Sequence, residues 1–328
     1  MGIRHRLASM YLPRTLEGRA WRRRRNRPCT TVLMYHEVLP DQIDLPSWLV
    51  VKQSRFEAQM RHLRDHYDVL PLADALTRLS ASTADQDQGR PSAVITFDDG
   101  YAGNYRCAFP ILRRLGLPFT VYVATGKVES GGRYWYDDVI CALLNKDRRV
   151  QLDTSRGPIV YSGRRLSGDR RWIEINSLLS ALKLLPREER IVLTERLGDP
   201  RAVPELRMMT PAELHSLSSD SLVTIGNHTH THDLLDQMRN EAASVIIEQA
   251  QELLQSWTGT LPHHFSYPNG NYLSETAQLV RERGFLSAVT TQPRCWQAAD
   301  PVHEIPRIGI GRFDNVHLFR AKAAGLLA

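Results

Sequence analysis

The chain has 328 residues, enough for one large domain or two modest ones at ~100–200 residues each. With 42% hydrophobic and 24% charged residues, its composition excludes wholesale disorder and collagen-like repeats. The net charge of +6 is unevenly placed: residues 1–27 hold nine arginines and one acid, Glu17, for +8, and residues 28–328 carry −2.

Residues 1–28 read as an Arg-rich arm and residues 29–328 as the body. A near-neutral body lacks the basic stripe of a nucleic-acid binder, so no nucleic-acid partner is expected. The arm has arginines but no apolar h-region after them, which argues against a secretory or twin-arginine signal. Its composition is also that of an organellar transit peptide; a flexible arm, or a surface-lying helix over Ile3, Leu7, Met10 and Tyr11, is the simpler reading. No run of about 18 apolar residues is present to span a membrane. The expected location is cytoplasmic, with peripheral association at the inner face of the membrane through the basic arm. Cys29, Cys107, Cys141 and Cys295 lie far apart with no C-x-x-C pair, so they read as buried thiols.

From residue 29 on, short apolar runs alternate with helical segments. Thr31–Tyr35 is a strand, and Ser54–Tyr67 a helix opened by a Ser54/Glu57 capping box with Phe56, Met60 and Leu63 on one face. Pro71–Leu79 is a short helix, followed by a polar linker over Ala81–Pro91. Ala93–Phe97 is a buried strand that ends abruptly in Asp98-Asp99-Gly100; Arg106–Leu115 is a helix closing at Gly116, and Phe119–Ala124 a strand. Tyr134–Asn145 and Arg171–Leu197 are helical in pattern and belong to an insertion over about 131–215. Thr210-Pro211-x-Glu213 carries an N-cap, an N1 proline and a capping-box glutamate. Then come a strand at Leu222–Ile225, a long helix at Asn240–Trp257 stopping at Gly259, and strands at His264–Tyr267, Phe285–Thr290 and Ile305–Ile310. Helices are expected at Ser274–Arg283 and Asp314–Leu327. This alternation predicts an α/β barrel or a doubly wound sheet, with functional groups at the carboxyl ends of strands.

Three clusters follow strands. Adjacent carboxylates in Thr96-Phe97-Asp98-Asp99-Gly100-Tyr101 raise one another's pKa unless a cation or separate roles divide them. Asp and Gly also make ordinary strand-ending turns. In Gly226-Asn227-His228-Thr229-His230-Thr231-His232, His228 and His232 are spaced to bring two imidazole nitrogens to one metal, with Asp99 as a third ligand. Two histidines and one carboxylate leave positions open, as catalytic sites do. The third cluster, Phe265-Ser266-Tyr267-Pro268-Asn269-Gly270, is by itself only a turn.

In this order, TFDDGY, H-T-x-x-H and F-x-Y-P-x-G strongly resemble the polysaccharide deacetylases, the NodB-homology group or carbohydrate esterase family 4. The resemblance covers most of residues 30–310. The opening Val32-Leu33-Met34-Tyr35-His36-Glu37 looks like the branch acting on poly-N-acetylglucosamine exopolysaccharides. The resemblance implies a distorted (β/α) barrel with a helical insertion, one divalent metal with zinc the expected ion, and removal of N-acetyl groups from an amino sugar. The implied partner is an N-acetylated glycan or a glycolipid or nucleotide-linked precursor. Asp98 would be the general base; Asp99, His228 and His232 the metal ligands; an N–H such as that of Asn269 would hold the oxyanion.

Two departures from the family pattern matter. No late Leu-x-His motif is present, and His303 and His317 lack that context, so His36 is the candidate general acid. The family's Arg-Pro-Pro motif is replaced by Ser266-Tyr267-Pro268; Arg307 is then a candidate to supply the missing charge, or a free surface arginine. Tyr101, Tyr267 and Trp135 are candidate sugar-stacking aromatics, with Pro268, Asn269 and Arg307 counted among the substrate-binding residues. The insertion is expected to cover the barrel mouth or to mediate oligomerisation. The competing readings are a catalytically weak glycan-binding scaffold and an amidase acting on a small amide.

Overall fold

The structure is a computed structural model describing residues 16–18, 29–81, 89–144, 149–163, 169–198 and 203–327. Its strands are β1 (Cys29–Tyr35), β2 (Glu37–Leu39), β3 (Val50–Lys52), β4 (Asp68–Val69), β5 (Ser92–Phe97), β6 (Phe119–Val123), β7 (Val150–Thr154), β8 (Gly157–Tyr161), β9 (Val223–Asn227), β10 (His264–Ser266), β11 (Ser287–Val289), β12 (Trp296–Gln297) and β13 (Ile308–Gly309).

The main sheet runs β11-β10-β9-β6-β5-β1-β12, with β13 also on β1 and β4 on β5. All of these pairings are parallel except β1 with β12. Strands β5 and β6 are buried along their whole length, and β1 is buried after Cys29. Strands covered on both faces favour unbroken β-branched and apolar runs, such as SAVITF and FTVYV, over alternation. The fold is mixed α/β with the sheet curled into a half-barrel. Residues 305–310 reach between its two edges: Ile305 bridges to Val289 of β11, and Ile308 and Gly309 pair with Leu33 and Met34 of β1.

Most expected elements form within a residue or two of their sequence bounds, and the local differences have identifiable causes. The Gln53–His66 helix has no side-chain cap. Ser54 instead bonds to Asp41 through both its N and its Oγ, and Glu57 pairs with Arg61 and Arg114, so the expected capping box is not formed. At Thr210 the box does form, with Glu213 N donating to Thr210 Oγ1 and Thr210 N to the Glu213 carboxylate. Arg106–Leu115 opens as a π-helical turn, Asn104–Ala108, before becoming α-helical at Phe109–Leu115.

Residues Arg171–Leu197 form two helices, Asp169–Lys183 and Arg187–Arg196, because Pro186 lacks the N–H needed to continue the first. The β7–β8 hairpin before them has no counterpart among the elements expected from the sequence. Ile175, Leu178, Leu182 and Leu193 of these helices join the same apolar core as Leu33, Ile95 and Val121 of the sheet. Of the arm, residues 16–18 are described. Glu17 is 2% exposed and pairs with His62 at 2.9 Å and with Arg320. The expected helix over Ile3, Leu7, Met10 and Tyr11, and most of the 81–91 linker, lie outside the described residues.

Candidate active site

Sheet register levels the strand ends. Tyr35 pairs with Phe97, Phe97 with Val121, Val123 with Asn227, and Asn227 with Phe265. The residues that follow therefore emerge along one rim: His36 after β1, Asp98 and Asp99 after β5, His228 after β9, and the Tyr267–Gly270 turn after β10. Asp99, Thr229, His232 and Asn269 are the non-glycine residues with positive φ among the described residues, at +77°, +65°, +59° and +58°. All four lie in these rim loops, where left-handed backbone is held by the surrounding fold.

Asp99 Oδ1 lies 3.4 Å from His228 Nε2 and 3.2 Å from His232 Nε2. One ligand atom from each of the three residues falls within 4.8 Å of the others. His228 Nδ1 donates to Ser266 O at 2.7 Å, which leaves Nε2 as the lone-pair nitrogen facing Asp99. The second carboxylate oxygen of Asp99 accepts from Tyr136 Oη at 2.9 Å, and the Asp99 carbonyl accepts from Tyr134 Oη at 3.1 Å. Two imidazole nitrogens and one oriented carboxylate oxygen fit a divalent ion such as zinc, with a coordination position to spare. Burial alone would raise the Asp99 carboxyl, but His232 and then His228 hold it well below the usual range.

Asp98 turns the other way. Arg307 Nη1 and Nη2 donate to its two oxygens at 2.7 and 2.6 Å. The remaining guanidinium donors go to Thr290 O, Thr96 Oγ1 and Ser266 Oγ, so all five N–H groups are used with the side chain 0% exposed. Burial raises the Asp98 carboxyl, but the Arg307 charge, His228, the Arg307 hydrogen bonds and His36 together outweigh it, keeping Asp98 below its ordinary value. His36 lines the same cavity, its carbonyl accepting from Asn104 Nδ2 at 2.6 Å and its ring edge-on to Trp48 at 5.8 Å. The His36 Nδ1 is buried and has no hydrogen-bond partner among the described residues. Burial lowers the imidazole below its usual pKa, while Asp99 and Asp98 pull it partly back.

These groups open onto a cavity of about 780 Å³ whose walls include His36, Asp98, Asp99, His228, His232 and Asn269. The polysaccharide deacetylase family model matches residues 85–288. The chain belongs to this family. YxkH of Bacillus subtilis (strain 168) is 33% identical over 105 residues, a stretch covering 32% of this chain and about a third, 35%, of that relative. Among solved structures, IcaB from Ammonifex degensii superposes with a TM-score of 0.57 at 19% identity, over 90% of this chain and 97% of that one. The Streptococcus pyogenes deacetylase PplD in complex with acetate gives 0.53 at 18% identity, over 87% and 93%. At these identities the likeness is one of fold.

In this member of the polysaccharide deacetylase family, Asp98, Asp99, His36, His228, His232 and Asn269 converge on one cavity, as does Trp135. Arg307 comes to Asp98 rather than to the cavity, so it is not a substrate contact. Tyr101 and Tyr267 are corrected as sugar-stacking residues. Tyr101 is 1% exposed and donates to Asp137 Oδ2; Tyr267 is 0% exposed, donates to His303 O and stacks on Tyr272. Pro268 is also buried beneath the turn. Tyr134 and Tyr136, stacked at 5.1 Å, were not singled out from the sequence. Their only sequence signal is an aromatic cluster, which core packing produces equally well. Glu37 was read only as part of the opening motif; it is 0% exposed, accepts from Val38 N at 2.7 Å, and burial raises its carboxyl well above the usual range.

Proposed function

We propose that this deacetylase is a metal-dependent hydrolase that removes the N-acetyl group of an amino sugar in a surface glycan or its lipid- or nucleotide-linked precursor. Its Tyr35-His36 opening motif favours the exopolysaccharide branch. The observation that carries the reading is the buried Asp99–His228–His232 trio facing the same cavity as the Arg307-held Asp98.

A divalent ion in this trio supplies Lewis-acid polarisation of the acetamide carbonyl and lowers the pKa of water. The protein's own groups manage the protons and the geometry. Asp98, ionised and fixed by Arg307, accepts the proton of the water attacking the acetyl carbon. The Asn269 N–H is assigned to the tetrahedral oxyanion. His36 acts in its protonated form, which Asp99 and Asp98 favour against burial, delivering a proton to the departing nitrogen as the C–N bond breaks and releasing acetate and a free amine. Tyr136 keeps the Asp99 carboxylate turned toward the two histidines.

The test joins metal analysis to acetate release from N-acetylglucosamine oligomers and from lipid- or nucleotide-linked N-acetyl amino sugars. About one divalent ion per chain and acetate release abolished in Asp98→Asn with the metal retained are expected. Full turnover in that variant would overturn the assignment.

A further inference from the structure

One wall of the cavity has a different chemistry from its floor. It is formed by the Asp169–Lys183 and Arg187–Arg196 helices, which bring Lys183, Arg187 and Arg190 to the cavity. The carboxylates lining the cavity are already engaged: Asp98 by Arg307, Asp99 by the two histidines, and Asp233 by Arg187 at 2.9 Å. Among the described residues, Lys183 and Arg190 form no ion pair. The Lys183 ammonium donates to the side-chain oxygen of Asn269, and the Arg190 guanidinium lies 4.8 Å over the Trp135 ring.

Both cations are partly buried. Burial lowers the Lys183 ammonium from its ordinary value, Asp236 offsets this in part, and the Arg190 charge lowers it again. Arg190 is lowered by burial too, against Asp233 and Glu188 and with Arg187. Taking a cation out of water without a counter-ion is unfavourable. Two neighbouring ones on a cavity wall leave a place where an anion would relieve that cost. With one face on Trp135, the guanidinium of Arg190 keeps a planar fork suited to oxyanions, and Lys183 adds a point charge.

We propose that Lys183 and Arg190 form an oxyanion subsite, so that the amino sugar taken into this cavity carries a phosphoryl or carboxylate group beside its acetamido ring. This rests on the deacetylase reading above for the identity of the sugar. A phosphoryl group would come from a glycosyl phosphate linkage, and a carboxylate from a neighbouring uronate.

The test is calorimetric binding of three probes to the zinc-loaded full chain: N-acetylglucosamine, N-acetylglucosamine 1-phosphate, and N-acetylglucosamine linked to a uronate. The wild type should prefer at least one charged probe over the neutral sugar by at least about tenfold, the worth of a charged hydrogen bond. That preference should fall by about tenfold in both Lys183→Met and Arg190→Gln, and persist in Lys183→Arg. The charged probe whose preference depends on these residues identifies the source. Zinc content, measured on every variant, separates this effect from anion binding at the metal. An equal preference in wild type and both neutralised variants, or no preference in the wild type, overturns the subsite. Acetate release from the same probes is scored separately. Its absence from all three would count against the deacetylase reading while the binding ratios still decide the subsite.

Discussion

Arg307 grips Asp98 through two parallel hydrogen bonds of 2.7 and 2.6 Å, joining residues 209 positions apart in the chain. Both side chains are removed from water, at 0% and 4% exposure, so neither can fall back on solvent if the other is lost. Arg307→Met should lower unfolding stability by about 3–5 kcal/mol, the usual result of stripping one partner from a buried pair. It should also reduce kcat far more than it raises KM. Arg307→Lys keeps the charge without the fork and should fall between the two. Urea unfolding together with steady-state acetate release checks this; a methionine variant with wild-type kcat would disconnect Arg307 from the chemistry.

The remaining reacting groups separate by what each variant keeps. His228→Ala should lose the divalent ion and the activity together. His36→Ala should keep the ion and lose roughly 10²–10⁴ in turnover, the range of a lost acid–base group. Elemental analysis beside single-turnover acetate release distinguishes them, and an unchanged rate in His36→Ala removes His36 from proton delivery.

Tyr136 touches Asp99 rather than the ion, so its contribution is orientation. Tyr136→Phe should weaken metal affinity by about 10–100-fold, as loss of an outer hydrogen bond to a ligand does. Competition against a chromophoric chelator measures this directly. Wild-type affinity would show that Asp99 is held without it.

Stability should also depend on pH through a residue outside the site. His264 is 4% exposed, its Nδ1 within 2.8 Å of Ser287 Oγ, and burial pushes its pKa down to about 4. A histidine depressed in the folded state binds its proton more readily when unfolded. Its stabilising contribution is therefore complete above about pH 6.5 and lost as pH falls toward about 4, roughly 3 kcal/mol over the window. Denaturant titrations at pH 7.5 and pH 4.5 should show wild type losing more stability than His264→Asn. Parallel losses would mean that His264 does not titrate in this way.

The sequence made the parts of the site that lie together in the chain legible. Asp98 and Asp99 follow directly on a buried run, and His228 and His232 keep ligand spacing, so local pattern sufficed to find them. Arg307 could be named only by asking what replaced an arginine missing from the 266–268 turn; its contact depends on residues 305–310 lying between the edges of the curled sheet. Tyr101 and Tyr267 were misplaced because an aromatic ring next to a motif looks the same in sequence whether it faces a cavity or a core. The β7–β8 hairpin was hidden by its polar, Gly- and Arg-containing surroundings. The break at Pro186 had a visible signal in the proline itself, which the helical periodicity on either side outweighed. At Ser54 the local capping pattern was present, and Asp41, 13 residues earlier, displaced it.

The residues 228–234 that carry both histidines form neither helix nor strand, and His232 and Asp99 hold left-handed backbone that free peptides seldom populate. A short peptide spanning them lacks Asp99 and holds its histidines in no fixed geometry. An ion held by Asp99, His228 and His232 would therefore bind the folded chain more tightly than the unfolded one, and its occupancy would report on folding. At free metal a hundred times the dissociation constant, the midpoint of unfolding should rise as though stability had grown by at most about 2.7 kcal/mol, reduced by whatever metal the unfolded histidines take up.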